Sequence, residues 1–180
     1  MLQLRKDGKR FKISNMSLIE IIDYQPQHQP YFERFNRHWI EKYFVMEPLD
    51  EFVLMHPNEA ILEPGGAILM ATCDNELAGT VALRKLDNNV FEFTKMAVDE
   101  KFQRRGIAEA LSHASFEKAK ELGAGKVILY SNSVLKAAIS LYEKLGFKHI
   151  PIGNSEYTRS DVKMEIMVEQ LINEPMPINS

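Results

Sequence analysis

A hexapeptide in the second half of the chain, residues 103–108 (QRRGIA), has the composition of an anion-binding turn. It follows an apolar strand pattern and lies where a helix is predicted to begin, spanning about residues 104–122. Helix N-termini present unpaired backbone N–H groups and the positive end of the helix dipole, which together suit phosphate. Gly106 costs about 1 kcal/mol of helix stability relative to alanine. Its missing side chain would let phosphate oxygens approach the backbone, so the pattern indicates a phosphate site.

The hexapeptide alone also fits a surface loop with two solvated arginines and a tolerated glycine. It is not a Walker loop, because the GxxxxGK[ST] pattern is absent, and it is not the GxGxxG dinucleotide fingerprint. The elements around the motif therefore have to distinguish the two interpretations.

Alternation and turn signals predict the elements that would position this motif. Strands are expected at 18–24, 67–73, 76–86, 90–98, 126–130, 147–150 and 161–168. Helices are expected after Pro26, at 48–55, at 104–122 and in a segment ending at 145–146. This order predicts an α+β protein with a mixed, mostly antiparallel sheet. We expect a single domain at 18–170, an N-terminal tail or weakly attached segment at 1–17, and a C-terminal tail at 171–180.

The composition is that of an ordinary soluble globular protein, with 180 residues, 45% of them hydrophobic, and a net charge of -3. The charge supports neither nucleic acid nor membrane as a partner, and no run approaches the roughly 20 apolar residues that span a bilayer. No apolar segment follows the basic N-terminus as in a secretory signal. One cysteine, Cys73, excludes an internal disulfide, and the histidines lack metal-ligand spacing. We expect a cytoplasmic protein without a metal.

Two segments of the second half resemble the GNAT superfamily of acyl-CoA-dependent N-acyltransferases. Residues 103–108 match its Q/R-x-x-G-x-G/A pyrophosphate motif and follow a KMAV strand end at 95–98. Residues 138–147 (AISLYEKLGF) match its A-x-x-LYEKLGF ending. Two motifs in the right order and separation are more specific than either alone. The resemblance covers about residues 66–168, and the first 65 residues match only in general layout.

The resemblance implies a three-layer α/β/α fold in which the fourth and fifth strands of the family sheet, here 90–98 and 126–130, splay apart. Acetyl-CoA is the implied acyl donor, with its pantetheine arm inserted between these strands. An N–H near Met96 or Val98 would stabilise the tetrahedral oxyanion. The residues implied to hold the donor are Met96, Ala97, Val98, Gln103, Arg104, Arg105, Gly106, Ile107, Ala108 and Ala138. Many members also carry an asparagine where this chain has Leu135, and Asn132 is the candidate substitute.

Tyr142 matches the tyrosine that protonates the departing CoA thiolate in many family members. A phenol with a pKa near 10 still carries its proton at neutral pH and can supply it. Without the match, the helical stripe of Leu135, Ala138, Tyr142 and Leu145 would favour a core tyrosine.

Glu92 is the candidate base that would deprotonate the attacking amine. It stands four residues before Met96, where histone-acetylating relatives carry a glutamate, and alternation predicts Glu92, Thr94 and Met96 on one face. A solvated strand residue, with water as the base, remains the open alternative.

The resemblance implies an enzyme that moves an acetyl group to a primary amine, on a small molecule or a protein, by direct attack in a ternary complex. Cys73 is predicted on an early strand remote from the motif, which argues against a covalent route. The first 65 residues and the loop 151–159 are expected to set the acceptor. The alternative is a catalytically inactive acyl-CoA-binding or interaction module of the same fold, and a homodimer is left open. An aromatic cluster is a candidate lining of the acceptor side, although most of it is expected in the core; it comprises Tyr31, Phe32, Phe35, Trp39, Tyr43 and Phe44.

Overall fold

Eight strands form one mixed sheet in the computed structural model, which describes residues 9–13 and 17–172 and the side chains of 18–170. The spatial order is β1-β2-β3-β4-β5-β6-β8-β7. Every neighbouring pair is antiparallel except β5 and β6. The predicted mixed, mostly antiparallel sheet is therefore confirmed. The strands are β1 Lys9–Ile13, β2 Ser17–Asp23, β3 Ala67–Cys73, β4 Glu76–Asp87, β5 Val90–Val98, β6 Lys126–Ser131, β7 Lys148–Ile150 and β8 Val162–Met167.

The segment predicted as an N-terminal tail contributes the edge strand β1. It pairs antiparallel with β2, with Lys9 opposite Ile21 and Ile13 opposite Ser17. Phe11 and Ile13 alternate with Arg10 and Lys12 at the period of a strand. The rest of the two predicted tails, residues 1–8, 14–16 and 173–180, lies outside the described residues.

Two helices cover each face of the sheet, which confirms the three-layer arrangement. Helices α1 (Gln29–Tyr43) and α2 (Pro48–Met55) bury Phe32, Phe35 and Leu54 against one face. Helices α3 (Ile107–Glu121) and α4 (Lys136–Lys144) bury Leu111, Phe116 and Tyr142 against the other. Only part of the aromatic cluster is core, since Tyr31 and Tyr43 are exposed.

Helix α3 begins at Ile107, three residues later than the sequence pattern predicts. The preceding backbone is left-handed at Arg104 (φ 59°) and at Gly106 (φ 79°), and a helix cannot run through such residues. Gly106 is the N-cap of α3. Glycine adopts this conformation without the steric cost that a Cβ imposes.

The parallel strands β5 and β6 pair only over their first residues, Val90–Glu92 against Lys126–Ile128. Beyond this point β5 pairs with β4 alone, so the two strands diverge as the resemblance implied. β5 also carries a bulge, because its register with β4 shifts and Lys95 has a φ of 51°.

The bulge corrects the predicted alternation along β5. Glu92 faces the α1–α2 side, where it pairs with Arg84, but Met96 packs into the core beneath α3. The Ser112 hydroxyl of α3 donates to Ala108 O at 2.7 Å, and its Oγ lies 3.7 Å from Met96 Sδ. The prediction that both share one face is wrong, because one inserted residue reverses which face the following side chains occupy.

Candidate active site

The divergence of β5 and β6 opens a cavity of about 700 Å³. Its walls come from β5, α1, the end of β6, the beginning of α4 and residues 157–160. Many of the residues predicted from sequence are thus brought together around one opening. They are Glu92, Met96, Ala97, Val98, Gln103, Ala108, Asn132, Ala138 and Tyr142.

The turn before α3 borders this cavity at its two ends. Gln103 and Ala108 line the cavity, whereas the side chain of Ile107 is buried in the core. The first hydrogen bond of α3 runs from Ala110 N–H to the Gly106 carbonyl, so the amides of 106–109 precede it. Left-handed residues beside a helix start create a concave nest of N–H groups that suits phosphate.

The side chain of Arg105 is directed away from this nest of amides. Its guanidinium lies over the Phe102 ring at 5.4 Å, and Nη1 is 3.8 Å from Cys73 Sγ. The prediction that Cys73 is remote from the glycine motif is therefore wrong, because the long arginine side chain reaches β3. Cys73 itself is fully buried.

The last residue of β5 directs its backbone polar groups towards the cavity. Asp99 N–H donates to Ala78 O of β4, so the polar groups of Val98 point to the opposite side in an antiparallel pair. Trp39 of α1 donates its indole N–H to Val98 O at 2.9 Å. The Val98 N–H thus faces the opening between β5 and β6. The Ala97 backbone is in register with Thr80 of β4.

Tyr142 is buried on α4, where its ring packs against Phe93 and Phe147. It also borders the cavity, so the core and catalytic interpretations do not exclude each other. Burial raises the pKa of Tyr142 to about 12. The phenol is therefore fully protonated near neutral pH.

Asn132 lines the cavity with its side-chain amide already engaged. Nδ2 donates to Arg159 O at 2.6 Å, and Oδ1 accepts from Val134 N–H at 3.0 Å. The first bond joins the turn after β6 to the loop before β8, and the second lies within that turn. Leu135, the other candidate position, is the N-cap of α4 and also lines the cavity.

Glu92 lies where β5 and β6 separate and is only 1% exposed. Burial raises its pKa, and the opposing charge of Arg84, which donates at 2.8 Å, only partly offsets this effect. Arg84 also bonds Glu156. A buried carboxylate with a raised pKa is chemically suited to accept a proton, although the ion pair restrains it.

A second charged group, absent from the sequence prediction, centres on Asp50 of α2. The Asp50 side chain is fully buried, and it accepts hydrogen bonds from Lys95 at 2.7 Å and from Arg159 at 2.6 and 3.0 Å. Burial alone would raise the pKa of Asp50, but the bonds from Arg159 and Lys95 outweigh it and lower that pKa. The bulge in β5 is what turns Lys95 towards α2.

The sequence contains one signal for the charged group around Asp50, which is Lys95 near the end of an otherwise apolar strand. Its partners could not be inferred, since Asp50 is 45 residues from Lys95 and 109 from Arg159. Burial lowers the pKa of Lys95, because the charged ammonium is desolvated despite its pairing with Asp50.

Replacing Asp50 with alanine is expected to lower the free energy of unfolding by about 3–5 kcal/mol, because two cations then lose their buried counter-ion. The pKa of Asp50 is lower in the folded state than in the unfolded state. Its contribution is therefore complete above the unfolded pKa and is lost as pH falls through the folded pKa. Urea unfolding at neutral pH measures the difference, with Glu51→Ala as the control, since Glu51 is next to Asp50 on α2 but its side chain is partly exposed. A loss equal to that of the control would contradict the buried-pair account.

Residues 24–147, which include the bulged strand, the turn before α3 and the whole of α4, match the model of the acetyltransferase (GNAT) family. The chain therefore belongs to this family.

Two curated relatives illustrate the match. The N-acetylaspartate synthetase of Xenopus tropicalis is 35% identical over 91 residues, which cover 50% of this chain and 34% of that protein. The chain thus spans about a third of that relative's length. An uncharacterized N-acetyltransferase of Escherichia coli is 30% identical over 128 residues, covering 68% of this chain and 74% of that protein.

Solved structures show the same fold at low sequence identity. A GNAT acetyltransferase from Staphylococcus aureus superposes with a TM-score of 0.76 at 21% identity, covering 83% of this chain and 99% of that one. The PaiA N-acetyltransferase of Thermoplasma acidophilum, solved in complex with coenzyme A, gives a TM-score of 0.64 at 18% identity. The alignment covers 83% of this chain and 98% of that one.

Across the described residues, no helix is long and apolar enough to cross a membrane. Within the same part of the chain, His, Cys, Asp and Glu side chains form no group of three or more placed to hold a metal ion.

Proposed function

We propose that this protein is an N-acetyltransferase that moves the acetyl group of acetyl-CoA to a primary amine. The observation that carries the proposal is the cavity between β5 and β6, which joins the backbone turn before α3 to Tyr142 and Glu92. An anion-binding turn, a buried phenol and a buried carboxylate on one opening match the parts of an acyl-transfer site.

The donor side of the site would be formed by backbone more than by charged side chains. Amides of residues 104–108 would hold the pyrophosphate, and Gly106 keeps the nest open. Val98 N–H, which faces the opening, would bond the pantetheine arm or the thioester oxygen. Asn132 and Ala138 would border the arm from the β6–α4 side.

The proposed reaction is a direct transfer without an acyl-enzyme. The amine nitrogen forms a bond to the acetyl carbonyl carbon, the C–S bond breaks, and the thiolate leaves with the electron pair. Tyr142 donates its phenolic proton to the sulfur and then regains a proton from solvent, and the proton lost by the amine passes to solvent through Glu92 or water. Backbone N–H groups at the end of β5 stabilise the oxyanion formed during attack.

The test is release of free CoA thiol from acetyl-CoA with a panel of amines containing polyamines, amino acids and short peptides. Aspartate belongs on the panel because the Xenopus relative is named N-acetylaspartate synthetase. Mass spectrometry of the acceptor should show a gain of one acetyl group. If acetyl-CoA binds but no amine releases thiol, the catalytically inactive binding module is the correct function.

Glu92→Gln is expected to lower kcat/KM about 10- to 100-fold and to remove an acidic limb from its pH profile. The base works when deprotonated, so activity rises with pH through the pKa of Glu92. Burial places this limb above the usual glutamate range. The pH profile is measured with two amines of different pKa. A limb whose midpoint changes with the pKa of the amine reports titration of the acceptor and not of Glu92.

Glu156→Gln is the matched control, because Glu156 also bonds Arg84 but is exposed. This variant should keep the wild-type kcat/KM and the acidic limb of the pH profile. If Glu92→Gln keeps the wild-type pH profile, water and not Glu92 accepts the proton of the amine.

A further inference from the structure

Arg159 lies in the cavity wall on the side of the sheet that α1 and α2 cover. Its guanidinium is held between the Phe44 ring at 5.7 Å and the Tyr157 ring at 5.0 Å. Its carbonyl accepts from Asn132, and its N–H donates to Glu47. The side chain is 20% exposed. Arg159 is therefore fixed in place while part of it remains accessible.

The hydrogen bonds of Arg159 leave one edge of its guanidinium available. Nη1 donates to Glu47 at 3.1 Å and to Asp50 at 2.6 Å, and Nη2 donates once to Asp50 at 3.0 Å. A guanidinium has five N–H donors. Within the described residues, the two left over are Nε–H and the second Nη2–H. They lie side by side and form the fork that binds a carboxylate through two parallel bonds.

The charged side chains that line the cavity around Arg159 are mostly positive. Lys95 and Arg159 both line it, whereas the Asp50 carboxylate that pairs with them is 0% exposed and stays behind them. In the described part of the chain two carboxylates line the cavity, Glu92 and Glu100, and Glu92 lies on the same face of β5 as Lys95. The cavity thus offers an anion-binding fork and, beside it, a carboxylate able to attract an amine.

We propose that the acceptor is a small amine that itself carries a carboxylate, such as an amino acid, and that Arg159 binds this carboxylate. The inference rests on the proposed acetyl transfer and specifies its substrate class. Lys95 adds positive charge next to the fork. The acceptor nitrogen then lies towards Glu92 and the thioester, and Arg159 acts as a specificity-determining residue.

The experiment compares matched acceptors, L-alanine with L-alaninamide and L-aspartate with its diamide, for wild type and Arg159→Gln. The variant should lose roughly 10- to 100-fold in kcat/KM for the two acids, because a charged pair of hydrogen bonds is removed. It should lose less than about threefold for the amides, and KM for acetyl-CoA should not change. Arg159→Lys keeps the charge without the fork and should also lose most of the preference.

Arg37→Gln is the matched control for structural damage. Arg37 is also an arginine paired with two carboxylates, Glu33 and Glu51, but it does not line the cavity. It should leave the acid-to-amide ratio unchanged. Equal losses for acids and amides in Arg159→Gln would make Arg159 a purely structural residue and overturn the proposal.

Binding separates this proposal from the proposed function. With CoA present, N-acetyl-L-aspartate should raise the Tm of the wild type but not of Arg159→Gln, and the corresponding diamide should raise neither. Carboxylate recognition is overturned if only polyamines or amides cause thiol release from acetyl-CoA, or if the acid does not raise the Tm. The transferase function is not refuted by either result. A rise in Tm without transfer to any amine would support carboxylate recognition and refute the transferase function.

Discussion

Tyr142→Phe is expected to lower kcat about 100-fold while the Kd for acetyl-CoA stays within about twofold. The substitution removes one hydroxyl and keeps the ring, which packs against Phe93 and Phe147. The core beneath α3 and α4 therefore loses no apolar contact. What is lost is the proposed proton donor to the departing sulfur, which would matter only while the C–S bond breaks.

The raised pKa of Tyr142, about 12, is compatible with this role. The same desolvation that disfavours the phenolate also disfavours the thiolate, so the proton moves between two groups whose charged forms are both destabilised. No alkaline loss of activity from Tyr142 is expected below about pH 10, since the phenol stays protonated there.

Single-turnover rates and equilibrium binding distinguish these effects. Tyr24→Phe removes a hydroxyl from a residue that does not line the cavity and is the matched control. If Tyr142→Phe keeps the wild-type kcat across about pH 7 to 9, Tyr142 is a core residue and another group or water protonates the thiolate.

Gly106→Glu is expected to weaken acetyl-CoA binding at least about 100-fold. Gly106 has a φ of 79°, where a residue with a Cβ is strained by roughly 1 kcal/mol. The added carboxylate would also stand at the helix start where the pyrophosphate is expected, and two anions cannot share one set of amides. A negative charge at a helix N-terminus favours folding, so binding should suffer more than stability.

Two further variants separate backbone strain from charge. Gly106→Ala introduces strain without charge and should weaken binding only about 5- to 10-fold. Gly123→Glu makes the same change at the other end of α3, where φ is 77° and an added Cβ meets nothing within 4 Å. Calorimetric titration should show wild-type affinity for Gly123→Glu. If Gly106→Glu also keeps the wild-type affinity for acetyl-CoA, the donor site lies elsewhere.

Much of the fold could be predicted from sequence because its signals are local. Strand alternation and the turn residues placed β3, β5 and α2 at their observed bounds. Two short motifs indicated the family and the region of the cavity. The start of α3 was misplaced because a left-handed arginine, Arg104, has no distinctive sequence signal, whereas Gly106 only permits such a backbone.

The tertiary structure decided which side chains meet. A single inserted residue at Lys95 sends Met96 to the core beneath α3 and places an ammonium against Asp50 of α2. Arg159 reaches the same carboxylate from 109 residues away. No local pattern encodes such a group, because its energy depends on how α2 and the loop before β8 pack over the bulge. The sequence by itself thus determined the family, most of the elements and the glycine motif, and the tertiary structure alone decided which charged side chains meet around Asp50.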